Sequence, residues 1–120
     1  MPAKTVLIVE DEFLLAMGLQ IVLEQDGWRV IGPAGTVGDA LVLLRMELPS
    51  VALLDVNLGT EYVTPVAVFL KEHGVPFALA TAYHKPEQYA GEILAGIPNV
   101  GKPTDDRRLL TTLRQLTADG

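Results

Sequence analysis

The sequence lacks cysteine, long apolar runs and concentrated positive charge, and each absence removes a class of function. Without cysteine the chain forms neither a disulfide nor a thiolate zinc site. No apolar stretch approaches the roughly 20 residues that a membrane-spanning helix needs, and the start MPAKTVLIVEDE does not resemble a signal peptide. The formal net charge is -6 and the basic residues are scattered, so we expect no nucleic-acid partner.

Enough apolar sequence remains to build a folded domain. Hydrophobic residues make up 49% and charged residues 20% of the 120 residues, which is typical of a globular domain and not of a disordered chain. No linker divides the chain, so we predict one domain over residues 1–120. The absence of cysteine is compatible with the reducing cytoplasm, where we expect the protein to be located.

Apolar runs of strand length alternate with segments that have helical spacing. The runs are VLIV at 6–9, WRVI at 28–31, VALL at 51–54, PFALAT at 76–81 and the weaker IPNVG at 97–101. Near-continuous apolar strands between helices indicate a parallel sheet covered on both faces. We therefore predict an α/β, flavodoxin-like (βα)5 three-layer sandwich with five parallel strands in the order 2-1-3-4-5.

Carboxylates follow the first and third of these runs. Glu10 and Asp11 come directly after the first, and Asp55 comes directly after the third. These two strands are neighbours in the predicted order, and the carboxyl ends of parallel strands share one edge of the sheet. Three converging carboxylates repel one another unless a cation or a proton compensates. Oxygen donors in an incomplete cage suit Mg²⁺, with Mn²⁺ as the alternative ion.

Two other polar residues are predicted at the same edge, Thr81 at the end of the fourth strand and Lys102 at the end of the fifth. Acids, a divalent cation, a hydroxyl and an ammonium group are together the parts of a phosphoryl-transfer site. Asp55 is then the nucleophile, because no cysteine or histidine is expected nearby. Each residue alone is explained as a turn former, a strand former or a solvated lysine, so only the combination indicates function.

The stretches VLIVEDE, LLDVNLG, ATAY and GKP, at their spacing, resemble the receiver domain of two-component response regulators over nearly the whole chain. The resemblance implies that Asp55 is phosphorylated by a histidine kinase or a histidine phosphotransfer protein. It also implies that Mg²⁺ is bound by Asp11, by Asp55 and by the backbone carbonyl of Asn57, with Glu10 acting through water.

The resemblance extends to the phosphoryl-binding groups and to a narrower group. Thr81 would contact the phosphoryl group and report its arrival, Lys102 would pair with it, and the peptide bond to Pro103 is usually cis in receivers. The stretch VPFALATAY resembles the FATGUY group of alphaproteobacterial receivers, with Ala82 where that group commonly has glycine. That group often pairs with kinases of the HWE or a related type.

Two positions depart from the usual receiver pattern. Receivers mostly carry tyrosine or phenylalanine three residues before the lysine, where this chain has Asn99. Tyr83 is the nearest aromatic residue that could replace the missing switch, and its alternative role is that of an interfacial tyrosine with its hydroxyl in water. Thr104 replaces a frequent phenylalanine, and we expect it to cap the last helix.

A second apolar stripe on the first helix contains Leu14, Met17 and Ile21. We expect it mainly to pack against the last helix. Leu14 lies next to the acids and is also a candidate contact for the phosphodonor, with Pro103 and Thr104 bordering the same surface.

We expect a stand-alone receiver that binds a partner, relays phosphate or drains it from a kinase, as a monomer or a weak phosphorylation-dependent dimer. It would catalyse its own phosphorylation and dephosphorylation but act mainly as a switch. The alternatives are a pseudo-receiver that is never phosphorylated and a receiver excised from a larger kinase or regulator. A flavodoxin-like cofactor binder fits less well, because EDEFLL after the first strand is acidic and would repel phosphate without a metal.

Overall fold

A computed structural model describes residues 4–118, in which strands and helices alternate. The strands are β1 (Thr5–Val9), β2 (Arg29–Ala34), β3 (Val51–Leu54) and β4 (Phe77–Leu79). The helices are α1 (Phe13–Gln25), α2 (Val37–Met46), α3 (Thr64–Glu72), α4 (Glu87–Ala90) and α5 (Asp106–Leu116), with a 3₁₀ helix at Glu92–Leu94. Among the described residues, no helix combines the length and the apolar character needed to cross a bilayer.

The four strands form one parallel sheet in the order β2-β1-β3-β4. Val6 of β1 lies opposite Val51 of β3 on one side and Val30 of β2 on the other. The α/β class and the neighbouring positions of the first and third strands were therefore predicted correctly. The prediction of five strands is wrong.

The fifth predicted strand is reduced to a single bridge between Leu79 and Asn99. The Leu79 N–H donates to the Pro98 carbonyl, and the Val100 N–H donates to the Leu79 carbonyl, both at 2.8 Å. The main-chain groups of Thr81 that would continue this ladder are bonded instead by the side chain of Asn99. A side chain therefore replaces the backbone that a fifth strand would have supplied.

The core lies on both faces of the sheet, which explains why every residue of β1 and β3 is buried. On one face, Leu7 and Leu54 pack with apolar residues of α2 and α3, including Leu70. On the other face, Ile8 packs with residues that include Leu109 of α5. Alternate residues of one strand thus belong to different clusters, as the period of two requires.

The second apolar stripe of α1 does not pack as expected. Leu14, Met17 and Ile21 are 78%, 38% and 50% exposed. Helix α1 instead contributes the fully buried Leu23 to the cluster that also contains Leu109 of α5. The prediction that this stripe packs mainly against α5 is wrong, because α1 already buries a different face against the sheet.

The cap of α5 also differs from the prediction. The helix begins at Asp106, and the side chain of Asp105 caps it by accepting from the Arg108 N–H at 2.9 Å. Thr104 does not cap the helix, and its hydroxyl donates to the Gly101 carbonyl at 2.8 Å. Asp105 has the extended backbone that an N-cap needs, and aspartate is at least as good a cap as threonine.

Candidate functional site

Three carboxylates meet at the carboxyl edge of the sheet. Glu10 and Asp11 follow β1 and Asp55 follows β3, and one oxygen from each lies within 4.8 Å of the others. The register of the two strands causes this convergence, because Val9 lies opposite Leu54. The structure therefore brings together the acids that the sequence predicted at this edge.

Glu10 and Asp55 are buried, each only 4% exposed, whereas Asp11 is exposed. Burial, together with the smaller effect of the negative charge of Asp55, raises the pKa of Glu10 to about 7. The N–H of Glu12, which donates to Glu10 Oε2 at 3.0 Å, and the charge of Lys102 oppose that rise. The site thus concentrates negative charge where water cannot fully screen it.

Lys102 supplies positive charge at this site. Its Nζ lies 2.9 Å from Asp55 Oδ2, 3.2 Å from Glu10 Oε1 and 3.4 Å from Glu12 Oε1. Burial alone would lower the pKa of Lys102, but the hydrogen bond to Asp55 and the charges of Asp55 and Glu10 outweigh burial and raise it. The ammonium group therefore remains charged and faces more carboxylates than it can neutralise.

The donor set fits a hard divalent cation. All three clustered acids offer oxygen, and Lys102 leaves part of their negative charge uncompensated. Among the described residues, no hydrogen bond ends on the main-chain carbonyl of Asn57, and Asn57 is one of the residues that line the same cavity as Asp11 and Asp55. These oxygen atoms are compatible with Mg²⁺, the ion that the resemblance implied.

Thr81 lies two residues beyond the end of β4 and is 4% exposed. It shares a cavity of about 310 Å³ with Asp55, Lys102 and Tyr83. Its hydroxyl oxygen accepts a hydrogen bond from the Tyr83 N–H at 3.1 Å, and the hydroxyl hydrogen is left to donate elsewhere. An acid, an ammonium group and a hydroxyl therefore line one cavity, as the sequence predicted.

Tyr83 is half-buried at the rim of this cavity, and its hydroxyl is hydrogen-bonded to another side chain. The side-chain amide of Asn57 donates to the Tyr83 hydroxyl at 3.0 Å. The ring stacks on Tyr89, with ring centroids 4.5 Å apart and an angle of 18° between the planes. Neither contact was predicted from the sequence. The only sign of the first is that LLDVNLG and ATAY lie at the carboxyl ends of neighbouring strands.

The three candidate partner residues lie together beside Lys102. Leu14, Pro103 and Thr104 line an apolar groove of about 290 Å³ that Lys102 also borders. The peptide bond from Lys102 to Pro103 is cis, as the resemblance implied. The structure thus places this surface next to the acid cluster.

The sequence is similar to those of known bacterial signal-transduction and regulatory proteins. No protein-family model matches the chain. The sensory transduction protein LytT of Bacillus anthracis is 34% identical over 113 residues, which cover 92% of this chain and 46% of LytT. The phyllosphere-induced regulator PhyR of Methylorubrum extorquens is 37% identical over 90 residues, which cover 72% of this chain and 33% of PhyR. The chain therefore spans half or less of the length of these relatives.

A solved structure covers the chain almost completely. The solution structure of the REC domain of the PhyR response regulator from Erythrobacter litoralis has 30% sequence identity and a TM-score of 0.80. The similarity covers 97% of this chain and 91% of that domain. With the parallel sheet and the cavity lined by Asp55, Thr81 and Lys102, this similarity shows that the chain belongs to the receiver domains of two-component response regulators.

Proposed function

We propose that Asp55 accepts a phosphoryl group from a phosphohistidine of a histidine kinase or a histidine phosphotransfer protein. The observation that carries the proposal is the position of the Asp55 carboxylate, which is buried against Lys102 Nζ at 2.9 Å and opens into the cavity that also contains Thr81. A carboxylate held in this way is a competent nucleophile whose reaction leaves the charge of the product opposed by a nearby cation.

In the transfer step, a carboxylate oxygen of Asp55 forms a bond to phosphorus while the bond from phosphorus to the imidazole nitrogen breaks. The electron pair of the broken bond stays on that nitrogen, so the step takes no proton from Asp55. Lys102 exchanges part of its contact with Asp55 for the phosphoryl oxygens. The Thr81 hydroxyl donates its hydrogen to one of those oxygens.

The residues proposed to hold Mg²⁺, or alternatively Mn²⁺, are Asp11, Asp55 and the carbonyl of Asn57, with Glu10 acting through water. When bound, the ion would neutralise the charge that the phosphoryl oxygens carry during transfer. The same acids would otherwise repel an incoming phosphoryl group, because Lys102 compensates only part of their charge.

The domain is then a switch that catalyses its own phosphorylation and dephosphorylation and acts through a partner, or relays and drains phosphate. PFALATAY and the similarity to PhyR receivers support a receiver of the FATGUY group, with a kinase of the HWE or a related type as the donor. Leu14, Pro103 and Thr104 are the proposed contacts with that donor. One domain over residues 1–120, a cytoplasmic location and a monomer or weak phosphorylation-dependent dimer stay predictions.

The test is phosphorylation in the presence of Mg²⁺, with a small acyl phosphate or a labelled histidine kinase as the donor. We expect an adduct that is stable in acid and labile in base, and we expect chelation of Mg²⁺ to prevent its formation. Asp55→Asn should abolish the adduct, whereas Asp39→Asn, a change of the same kind on the exposed surface of α2, should leave it intact. Label retained in Asp55→Asn would contradict the assignment of the acceptor.

A further inference from the structure

The side chain of Asn99 joins two segments that carry phosphoryl-binding groups. Its Oδ1 accepts from the Thr81 N–H at 3.1 Å and from the Gly101 N–H at 2.9 Å. Its Nδ2 donates to the Thr81 carbonyl at 3.1 Å. One carboxamide thus bonds both main-chain groups of Thr81 and the residue directly before Lys102.

These three hydrogen bonds connect two segments that main-chain pairing in the sheet does not connect at this point. The backbone ladder between the two segments ends at the bridge of Leu79 with Asn99, so Thr81 lies beyond main-chain pairing on that side. The relative position of Thr81 and Lys102 then depends on the Asn99 side chain, which is itself half-buried.

The chemistry of the three bonds requires a carboxamide. Asn99 must accept from two N–H groups and donate to one carbonyl, and among side chains of this length only asparagine combines an acceptor oxygen with an N–H donor in one plane. Aspartate would keep the acceptor but would place a second oxygen against the Thr81 carbonyl. Leucine has a similar shape and makes none of the bonds.

We propose that Asn99 is a positioning residue, which holds the Thr81 hydroxyl and the Lys102 ammonium group in one fixed relation for capture of the phosphoryl group. This inference rests on the proposed function of Asp55. Within residues 4–118 the Asn99 side chain makes no hydrogen bond to the acids, and it acts by preventing the two segments from moving independently. Misplacing such a group by about 1 Å costs on the order of a hundredfold in rate, so the effect should be measurable.

A purely structural role for Asn99 predicts a different result. In that case its loss would lower stability and affect the site only through that loss. Ser50 offers a matched control, because its hydroxyl accepts from the Thr5 N–H at 3.1 Å and contacts the Thr5 hydroxyl at 3.3 Å. It therefore also joins two segments of the sheet by side-chain bonds, but at the amino ends of the strands, away from the site.

The experiment compares Asn99→Leu, Asn99→Asp and Ser50→Ala with the wild type. The measurements are the rate of labelling by a small acyl phosphate at saturating Mg²⁺, the affinity for Mg²⁺, and amide hydrogen exchange at Thr81 and Gly101. We expect Asn99→Leu to slow labelling by roughly 10- to 100-fold and to speed exchange of both amides by about tenfold. Its affinity for Mg²⁺ should not change.

We expect Asn99→Asp to slow labelling less than Asn99→Leu, because it keeps both acceptor bonds. Ser50→Ala should lower stability and leave labelling unchanged. If wild-type protein is not labelled, the proposed function fails and the inference fails with it. If the wild type is labelled, either of two results overturns only the inference. One is that Asn99→Leu is labelled equally fast, and the other is that its affinity for Mg²⁺ falls by the same factor as its labelling rate.

Discussion

The ammonium nitrogen of Lys102 lies 2.9 Å from Oδ2 of Asp55, and the two side chains are 22% and 5% exposed. Lys102 also contacts Glu10 and Glu12, so one cation holds several acids at the edge of the sheet. The ammonium group that would pair with an incoming phosphoryl group is therefore the same one that stabilises these acids in the unphosphorylated protein. Stability and function should be linked at this residue.

Lys102→Met should destabilise the metal-free protein. Removing the ammonium group leaves Asp55 and Glu10 buried without their counter-ion, which we expect to lower the free energy of unfolding by about 1–3 kcal/mol. Mg²⁺ should restore part of that loss, because it neutralises the same carboxylates. Urea unfolding with and without Mg²⁺ measures both effects. Lys71→Met, at an exposed lysine of α3, is the control, and an equal loss in that variant would count against the role of Lys102.

Asp11→Asn should have the opposite effect on the metal-free protein. Within residues 4–118 no ion pair reaches Asp11, so its charge adds repulsion to Glu10 and Asp55 without a compensating contact. We expect the substitution to raise the free energy of unfolding by up to about 1 kcal/mol when Mg²⁺ is chelated. It should also remove most of the rise in melting temperature that Mg²⁺ gives the wild type.

Thermal unfolding over a series of Mg²⁺ concentrations tests this prediction. Asp39→Asn removes an acid of the same kind from the first turn of α2, where the helix dipole favours it. That control should therefore not gain stability, and it should keep the full response to Mg²⁺. An undiminished response in Asp11→Asn would exclude Asp11 as a ligand of the ion.

Glu61 should stabilise the loop that follows Asp55. Its Oε2 accepts from the Val37 N–H at 3.0 Å, which connects the loop to the first turn of α2. Glu61→Ala leaves that N–H without its partner and should cost about 1 kcal/mol of unfolding free energy, as loss of a helix cap does. Glu61→Gln keeps an acceptor oxygen and should recover most of the loss. Urea unfolding of both variants measures the difference, and equal losses would argue against this hydrogen bond.

The sheet and the convergence of acids could be predicted because they follow from strong, repeated signals. The near-continuous apolar residues of β1 and β3 require cover on both faces. The handedness of crossovers then places those strands side by side. Once they are neighbours, Glu10 and Asp55 must meet at the carboxyl edge.

The features that were missed depend on competition between nearly equal local choices. A fifth strand and the Asn99 carboxamide bond to Thr81 compete for the same main-chain groups, and IPNVG does not show which of them prevails. Thr104 and Asp105 are adjacent and are both good N-caps, so the sequence pattern does not distinguish two possible starts of α5 that differ by one residue. The contact of the exposed Glu12 with Lys102 depends on a side-chain rotamer, which no sequence pattern specifies.

Tyr83 should connect the acceptor site to α4. Its hydroxyl receives a hydrogen bond from Asn57, two residues after Asp55, and its ring stacks on Tyr89 of α4. Tyr83→Phe loses the first contact and keeps the stacking, whereas Tyr83→Ala loses both. We expect both variants to accept phosphate at close to the wild-type rate, since Tyr83 supplies no charge to the phosphoryl group.

Amide chemical shifts recorded before and after phosphorylation distinguish the two roles of Tyr83. In the wild type we expect shift changes to extend from the Asp55 loop to α4, and in Tyr83→Ala we expect them to stop before α4. Tyr83→Phe should give an intermediate result if the hydroxyl transmits part of the change. Tyr62→Phe, at a tyrosine that is 40% exposed, is the matched control and should behave as wild type. If the shifts at α4 persist in Tyr83→Ala, Tyr83 is an interfacial tyrosine, because the change then reaches α4 without its ring.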